Sequence, residues 1–393
     1  MDLSTSVSTE APAKGETFRL RGFTFAAYAT QAVVTSFIPL YFLDNGYSEQ
    51  QIGLLYSTGP IISIAANLIT GLASDRFRTI KKLLILLLFG QLAMIAALFP
   101  VQHFAVVCLV MAAFYFFQTP INPLTDSLIL LSSQYTNTPY ALIRIFGSLG
   151  FALSAYFLGL LLKAAGTDWT LPLALCTVSI TLIFAFLLKD YRAGSAKMDF
   201  SGFFKVIRNR NVVLFFSIIF LVSIPHRMYE GFLAVSMRQM GASESLIGLA
   251  WLASAASEIP ILFLLGKYGH KFKELPLLAI AALMYGIRFW INGTIDDPRW
   301  VIATQLMHSV TFGIFFSTAL RYISQIIPDE YRASGQAVFT VIWLGLAGAV
   351  SGTFGGIYYE HFGREAFFRL GAILAVAASA SFLLRHYFAR RVH

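Results

Sequence analysis

Charge is scarce in this sequence. Of its 393 residues 12% are Asp, Glu, Lys or Arg and 57% are hydrophobic, with a mean hydropathy of +0.69. A soluble domain needs roughly a quarter of its residues charged to cover its surface, so a water-soluble globular protein is excluded. Cysteine is nearly absent: Cys108 and Cys176 both lie in apolar runs without paired spacing. That excludes a disulfide framework and a cysteine metal motif, and both read as small hydrophobes. No glycine loop followed by Lys-Ser/Thr, no His-Glu-x-x-His and no nucleophile-base pair is present, so ATP-driven work by this chain, a metal site, a cofactor and an enzymatic role are not expected. The first 17 residues contain no apolar stretch before a small-residue cleavage site and read as a polar, disordered tail.

What is present is apolar length. A bilayer-crossing helix needs about 20 apolar residues, and twelve windows qualify, near 18–43, 50–72, 81–100, 104–132, 140–163, 169–189, 211–237, 244–266, 274–293, 299–325, 333–358 and 365–388. They are continuous and rich in Leu, Phe and Ala, not short and alternating, which excludes a β-barrel. The fold class is therefore an all-α integral membrane protein with twelve transmembrane helices. The net charge of +9 is a topology signal, not a nucleic-acid one. With the amino terminus inside, 21 Lys and Arg face the cytoplasm, against five outside (Lys163, Arg238, Arg299, Arg364, Arg369) and three within spans (Arg144, Arg227, Arg288). The positive-inside rule then places both termini in the cytoplasm of a multi-pass cell-membrane protein.

The chain repeats itself. A shift of 195 residues lays Gly46-Tyr47-Ser48-Glu49 on Gly241-Ala242-Ser243-Glu244, then Gly53 on Gly248, Gly71 on Gly266, Arg76 on Lys271 and Arg78 on Lys273. Each copy begins with Ser and Glu where a helix start wants a cap and a negative charge. The expected organisation is a tail at 1–17, a six-helix half at 18–189, a basic cytoplasmic linker at 190–210, a second six-helix half at 211–388 and a short tail at 389–393. Two parallel, pseudo-symmetric six-helix halves around a midplane site describe the major facilitator architecture.

Gly71-Leu72-Ala73-Ser74-Asp75-Arg76-Phe77-Arg78 closes the second helix. It resembles the signature loop of the major facilitator superfamily, which implies a gating role for Gly71, Asp75, Arg76 and Arg78. In the second copy His270 replaces the acid. In the fourth and fifth helices, Pro120-Ile121-Asn122-Pro123-Leu124-Thr125-Asp126 and Tyr140-Ala141-Leu142-Ile143-Arg144 put a carboxylate and a guanidinium where ionisable groups are costly and functional. They resemble the phenylpropionate and lactose permease group of that superfamily, which implies substrate contact by Asp126 and Arg144. Phe151 stands where lactose permease has a sugar-stacking tryptophan, leaving a flat apolar face.

Glu258, in Glu258-Ile259-Pro260 of the eighth helix, resembles the glutamate of the phenylpropionate group, while the register of lactose permease's own glutamate holds Trp251. Arg288 lies in the ninth helix, and Gln305-Leu306-Met307-His308-Ser309-Val310-Thr311 in the tenth resembles the histidine motif of both permeases. Thr311 replaces the glutamate of lactose permease, which leaves Glu258 as the proton carrier and gives His308 a relay or substrate role. In the seventh helix His226, Arg227 and Glu230 are spaced to meet on one face, as a local salt bridge or as part of a cavity. Pro39 and Pro225 permit bending. Most aromatics, 15% of the chain, read as lipid-facing.

The expected function is proton-coupled symport of a small organic solute by alternating access. Asp126, Arg144, Phe151, Arg288 and His308 would bind substrate, and Glu258 with His308 the proton. Arginines suit a carboxylate, Phe151 an aromatic ring, and Asp126 the hydroxyls of a sugar or nucleoside. A proton-antiporting exporter is the alternative, although Leu153 to Leu162 has Gly159 and no proline, unlike exporters. A non-transporting sensor is a remote third. The expected partners are substrate, protons and lipid, with no nucleic acid, and the expected state is a monomer.

Overall fold

The computed structural model describes residues 14–136, 138–190, 208–327 and 332–391. Among them are eleven helical stretches long and apolar enough to span a bilayer: Gly15–Asp44, Glu49–Ser74, Lys81–Leu98, Phe104–Ser133, Tyr140–Ala165, Thr167–Leu187, Arg210–Gln239, Glu244–Leu265, Glu274–Thr294, Pro298–Ile326 and Gly335–Phe388. The last has 54 residues, about 80 Å at 1.5 Å per residue and far more than a bilayer accommodates. It is broken at Gly363, whose φ of 76° and ψ of 176° are not helical. The break makes two spans of one, giving the twelve-helix bundle expected from the sequence. The linker at 190–210 falls almost wholly outside the described residues, as do residues 1–13 of the amino-terminal tail. The first helix begins at Lys14, inside the expected tail, and Glu16 of its first turn lies 3.8 Å from Lys189.

Several spans are not regular, and the sequence gives the cause. The first is interrupted at Phe37 ahead of Pro39. The fourth breaks between Gln118 and Ile121, where Pro120 lacks the N–H that would continue the ladder. The tenth and eleventh contain π-helical turns at Ser309–Gly313 and Val341–Leu346, a distortion frequent at functional positions. At the start of the second span Ser48 and Gln51 form a reciprocal capping box. Its repeat partner Ser243 forms no side-chain cap; its hydroxyl pairs with Ser245 at 2.9 Å.

Two hydrophobic cores are present. One gathers Phe23, Leu84, Phe114, Leu128 and Val178, the other Phe215, Phe232, Tyr285, Phe315 and Phe382. They meet along two seams, the second span against the eleventh and the fifth against the eighth. Both seams bring backbone against backbone at glycine. A Cβ at Gly248 would lie 2.1 Å from the Ala155 carbonyl oxygen, and one at Gly53 2.3 Å from that of Gly352. Small residues of this kind let membrane helices approach closely where no hydrophobic effect drives them together.

The seams are latched at one end of the molecule. At the end away from the termini, Arg238 holds Asp44 at 2.6 Å and Glu244 at 2.8 Å, and Thr167 donates to the same Asp44. Gln239 donates to Glu49 at 2.5 Å and accepts from Tyr359 at 2.7 Å, while the Gln50 amide donates to Glu360. At the terminus-bearing end, Lys81 donates to the Phe186 carbonyl and Arg321 pairs with Glu274, each within its own half.

Gly248→Leu forces a side chain into the Ala155 carbonyl and should part the sealed end at a cost of about 1–3 kcal/mol. In a background with Cys108 and Cys176 replaced by Ser, Phe151→Cys should then label with a membrane-impermeant maleimide from the sealed side. Labelling equal to that of the Gly248 parent would show that the seam does not hold this end shut.

Candidate functional site

The amino-terminal cluster starts from Asp126. Its Oδ1 accepts from the Tyr140 hydroxyl at 3.1 Å and lies 3.2 Å from Arg144 Nε. The Arg144 guanidinium lies over the Tyr28 ring, 4.4 Å from its centre, in a favourable cation–π position. Gly147, one turn beyond Arg144, makes room: a Cβ there would stand 2.7 Å from Arg144 Nη1 and 2.9 Å from the Tyr28 ring. Both charged side chains stay about one-third exposed, so this pair is open to a ligand.

The carboxy-terminal cluster is built differently. Arg288 is 1% exposed; its two terminal nitrogens are answered from within, and its Nε has no partner among the described residues. Nη2 donates to Gln305 Oε1 at 2.6 Å, and Nη1 to Thr311 Oγ1 at 3.2 Å and toward His308 Nδ1 at 3.1 Å. The guanidinium also covers the Tyr229 ring at 4.4 Å, and Gln305 in turn donates to the Tyr229 hydroxyl. In a regular helix residues 305 and 311 point about 120° apart. The π-helical turn that follows His308 brings both onto one guanidinium.

This arrangement settles the tautomer of His308. An arginine N–H needs a lone pair opposite it, so Nδ1 accepts and Nε2 carries the hydrogen. That hydrogen points at Glu258 Oε1, 2.8 Å away. The Glu258 side chain retains 24% of its exposure. Arg288 thus reaches Glu258 through His308, and in this conformation both of its terminal nitrogens are engaged within the protein.

His226 completes the constellation. Its Nδ1 meets the Tyr285 hydroxyl at 3.0 Å and its Nε2 lies 3.4 Å from Glu230, which Arg227 holds at 2.5 Å. Glu230 therefore pairs with both residues that its spacing allows. The Phe312 ring packs beside both the His226 and the His308 imidazoles, 5.1 Å from each, and the two imidazoles lie 6.3 Å apart. Phe151 is half-buried and meets Trp251 edge-on at 5.8 Å across the fifth and eighth helices. Trp251 is buried, and its Nε1–H has no acceptor among the described residues. No hydrogen bond or ion pair joins the Asp126 cluster to the Glu258 cluster among the described residues.

At the terminus-bearing end, Arg76 and Arg78 are exposed and Arg78 caps its helix in a left-handed conformation, φ 50°. The side chains of Asp75, Gly266 and His270 lie outside those described. What secures this loop is a residue that sequence reasoning passed over: Asp190 accepts from the Thr79 hydroxyl at 2.5 Å and the Lys81 amide at 3.2 Å. Sequence reasoning also passed over Gln305, Tyr229, Tyr140 and the Arg238 clamp. Polar residues in apolar runs were their only signal.

The profile of the MFS_1 like family matches residues 17–370. The chain belongs to this family, within the major facilitator superfamily. It is 26% identical over 369 residues to the probable 3-phenylpropionic acid transporter of Escherichia coli (strain K12), covering 92% of this chain and 95% of that protein. It is 28% identical over 353 residues to the maltose permease of Geobacillus stearothermophilus, covering 86% of each. In structure it superposes on a point mutant of the nucleoside transporter NupG with a TM-score of 0.85 at 15% identity, over 94% of this chain and 99% of that one, which fixes the fold. The chain is therefore a multi-pass membrane transporter of the major facilitator type, acting on a small molecule and not an enzyme.

Gln305→Leu leaves a buried Arg288 donor and the Tyr229 hydroxyl unanswered. The expected loss is about 1–3 kcal/mol, read as a lower unfolding midpoint of the detergent-purified transporter. A midpoint unchanged from wild type would mean that Gln305 does not hold this network together.

Proposed function

We propose that this transporter takes up a small organic solute together with protons, by alternating access across the cell membrane with both termini in the cytoplasm. The observation that carries the coupling is the 2.8 Å contact between Glu258 and His308. Glu230 has its charge answered by Arg227 and His226, whereas Glu258 faces an imidazole whose other nitrogen is occupied by Arg288. Glu258 is the carboxyl group left to accept a proton, and taking it up removes one charge from the cleft before the halves reorient. Positive-inside counting makes the terminus-bearing end cytoplasmic. The seams and the Arg238 clamp then seal the outer side, and the conformation is inward-facing.

Substrate binding is assigned to Asp126 and Arg144, the exposed pair, with Phe151 and Trp251 as the apolar wall. Arg288 positions His308 in this state and gains direct contact only if the helix rearranges. Gly71, Asp75, Arg76 and Arg78 gate the cytoplasmic end, and the two halves, 18–189 and 211–388, rock as units. One chain supplies both halves of the pathway, so a monomer suffices. The candidate solutes are an aromatic acid, a sugar or a nucleoside, the classes named for the relatives.

In proteoliposomes under an inward proton gradient, Glu258→Gln should abolish gradient-driven accumulation while leaving substrate exchange measurable. Accumulation at the wild-type level in this variant would remove Glu258 from the coupling. Arg144→Lys keeps the charge but loses the planar stack on Tyr28 and should weaken substrate affinity about tenfold or more. Unaltered affinity would remove Arg144 from the substrate site.

A further inference from the structure

Within the amino-terminal half lies a polar pocket lined by Thr30 and Gln31 of the first span, Gln91 of the third, Gln118 and Asn122 of the fourth and Thr181 of the sixth. Its volume is about 10 Å³, enough for one water or one hydroxyl group. Most of its polar groups are already engaged. Gln118 donates to Gln31 at 2.7 Å and Gln31 to Thr35 at 3.2 Å, while the Thr30 and Thr181 hydroxyls donate to carbonyls of their own helices. Asn122, half-buried, makes no side-chain hydrogen bond among the described residues, and Gln91 is the fully buried exception. It is 1% exposed, and neither its amide nitrogen nor its amide oxygen has a partner among the described residues.

A buried primary amide left wholly unpaired is costly, and its two faces specify what answers it. The occupant must donate to Oε1 and accept from Nε2. A metal cation cannot donate a hydrogen bond and a carboxylate cannot either; a hydroxyl group does both.

The pocket adjoins the substrate pair. Gln31 lies three residues beyond Tyr28, which stacks on Arg144, and Asn122 lies four residues before Asp126. Both offsets keep a helix face, so Gln31 and Asn122, both half-buried, stand one turn from the Asp126–Arg144 pair toward the sealed end.

We propose that Gln91, approached past Gln31 and Asn122, receives one hydroxyl group of the transported solute, so that the substrate is polyhydroxylated, a sugar or a nucleoside, and not a simple aromatic acid. This assignment rests on the transport function proposed above and narrows it. Asp126 and Arg144 then hold the body of the solute, and the Gln91 amide reads one hydroxyl as donor and acceptor together.

The test offers uridine, maltose and 3-phenylpropionate to the full-length transporter in proteoliposomes, with single-deoxy analogues of whichever hydroxylated probe moves. The expected result is transport of uridine or maltose and discrimination against one deoxy analogue. Gln91→Met, which keeps the volume and removes the amide, should raise the half-saturation concentration for the parent about tenfold or more, beyond any change seen with that analogue. Transport of 3-phenylpropionate with neither hydroxylated probe overturns the assignment and leaves the transport function standing. So does a Gln91→Met effect that is absent, as for a pocket holding water alone, or equal for all probes, as for a packing defect. Should Gln91→Met fail to fold, thermal shifts of the wild-type protein decide: uridine or maltose must stabilise it more than each of its deoxy analogues save those lacking an uninvolved hydroxyl, and equal shifts across the whole set overturn the assignment. Neither transport nor a thermal shift with any of the three probes overturns the assignment together with the substrate classes proposed above.

Discussion

A guanidinium enclosed in a membrane-spanning bundle must have its donors answered by the protein, because lipid answers none of them. Arg288 meets that condition at its two terminal nitrogens with Gln305, Thr311 and His308, while its Nε is left without a partner among the described residues, and much of the carboxy-terminal half is arranged around it. The tenth helix is distorted into a π turn next to these ligands, and Tyr229 supplies an aromatic face. The proton-bearing edge of His308 is directed at Glu258. An apolar residue at position 288 would fill the volume and leave the imidazole free to turn.

The two halves have opposite characters. Asp126 and Arg144 are partly exposed and share one ion pair, one phenol and one ring. Such an arrangement can exchange its internal partners for those of a ligand with little rearrangement. The carboxy-terminal network is buried and densely interconnected, which makes it stiff. A transporter needs both: a yielding surface for the solute and a rigid frame that registers the arrival of a proton.

The helical frame was legible because apolar length is a one-dimensional signal. All twelve windows correspond to spans, and even the break at Gly363 falls in the gap between the last two. The pairs Asp126–Arg144 and Arg227–Glu230 could be anticipated, since charges in apolar helices have few possible partners. The service of Arg288 to His308 could not, because it depends on a π turn that shifts helical phase by a fraction of a residue. Nor could the clamp of Arg238 on Asp44, residues 194 apart in sequence, or the isolation of Gln91. A glutamine in an apolar run looks alike whether its amide is paired or not.

The glycine seams between the halves have a mechanical consequence. Interlocked side chains must unlock one by one when surfaces part, and each rotamer change adds friction. Carbonyl against glycine, as at Ala155 and Gly248, has no such teeth. Two smooth rails meet there, able to roll on one another once the Phe151–Trp251 contact and the few polar latches at the rim give way.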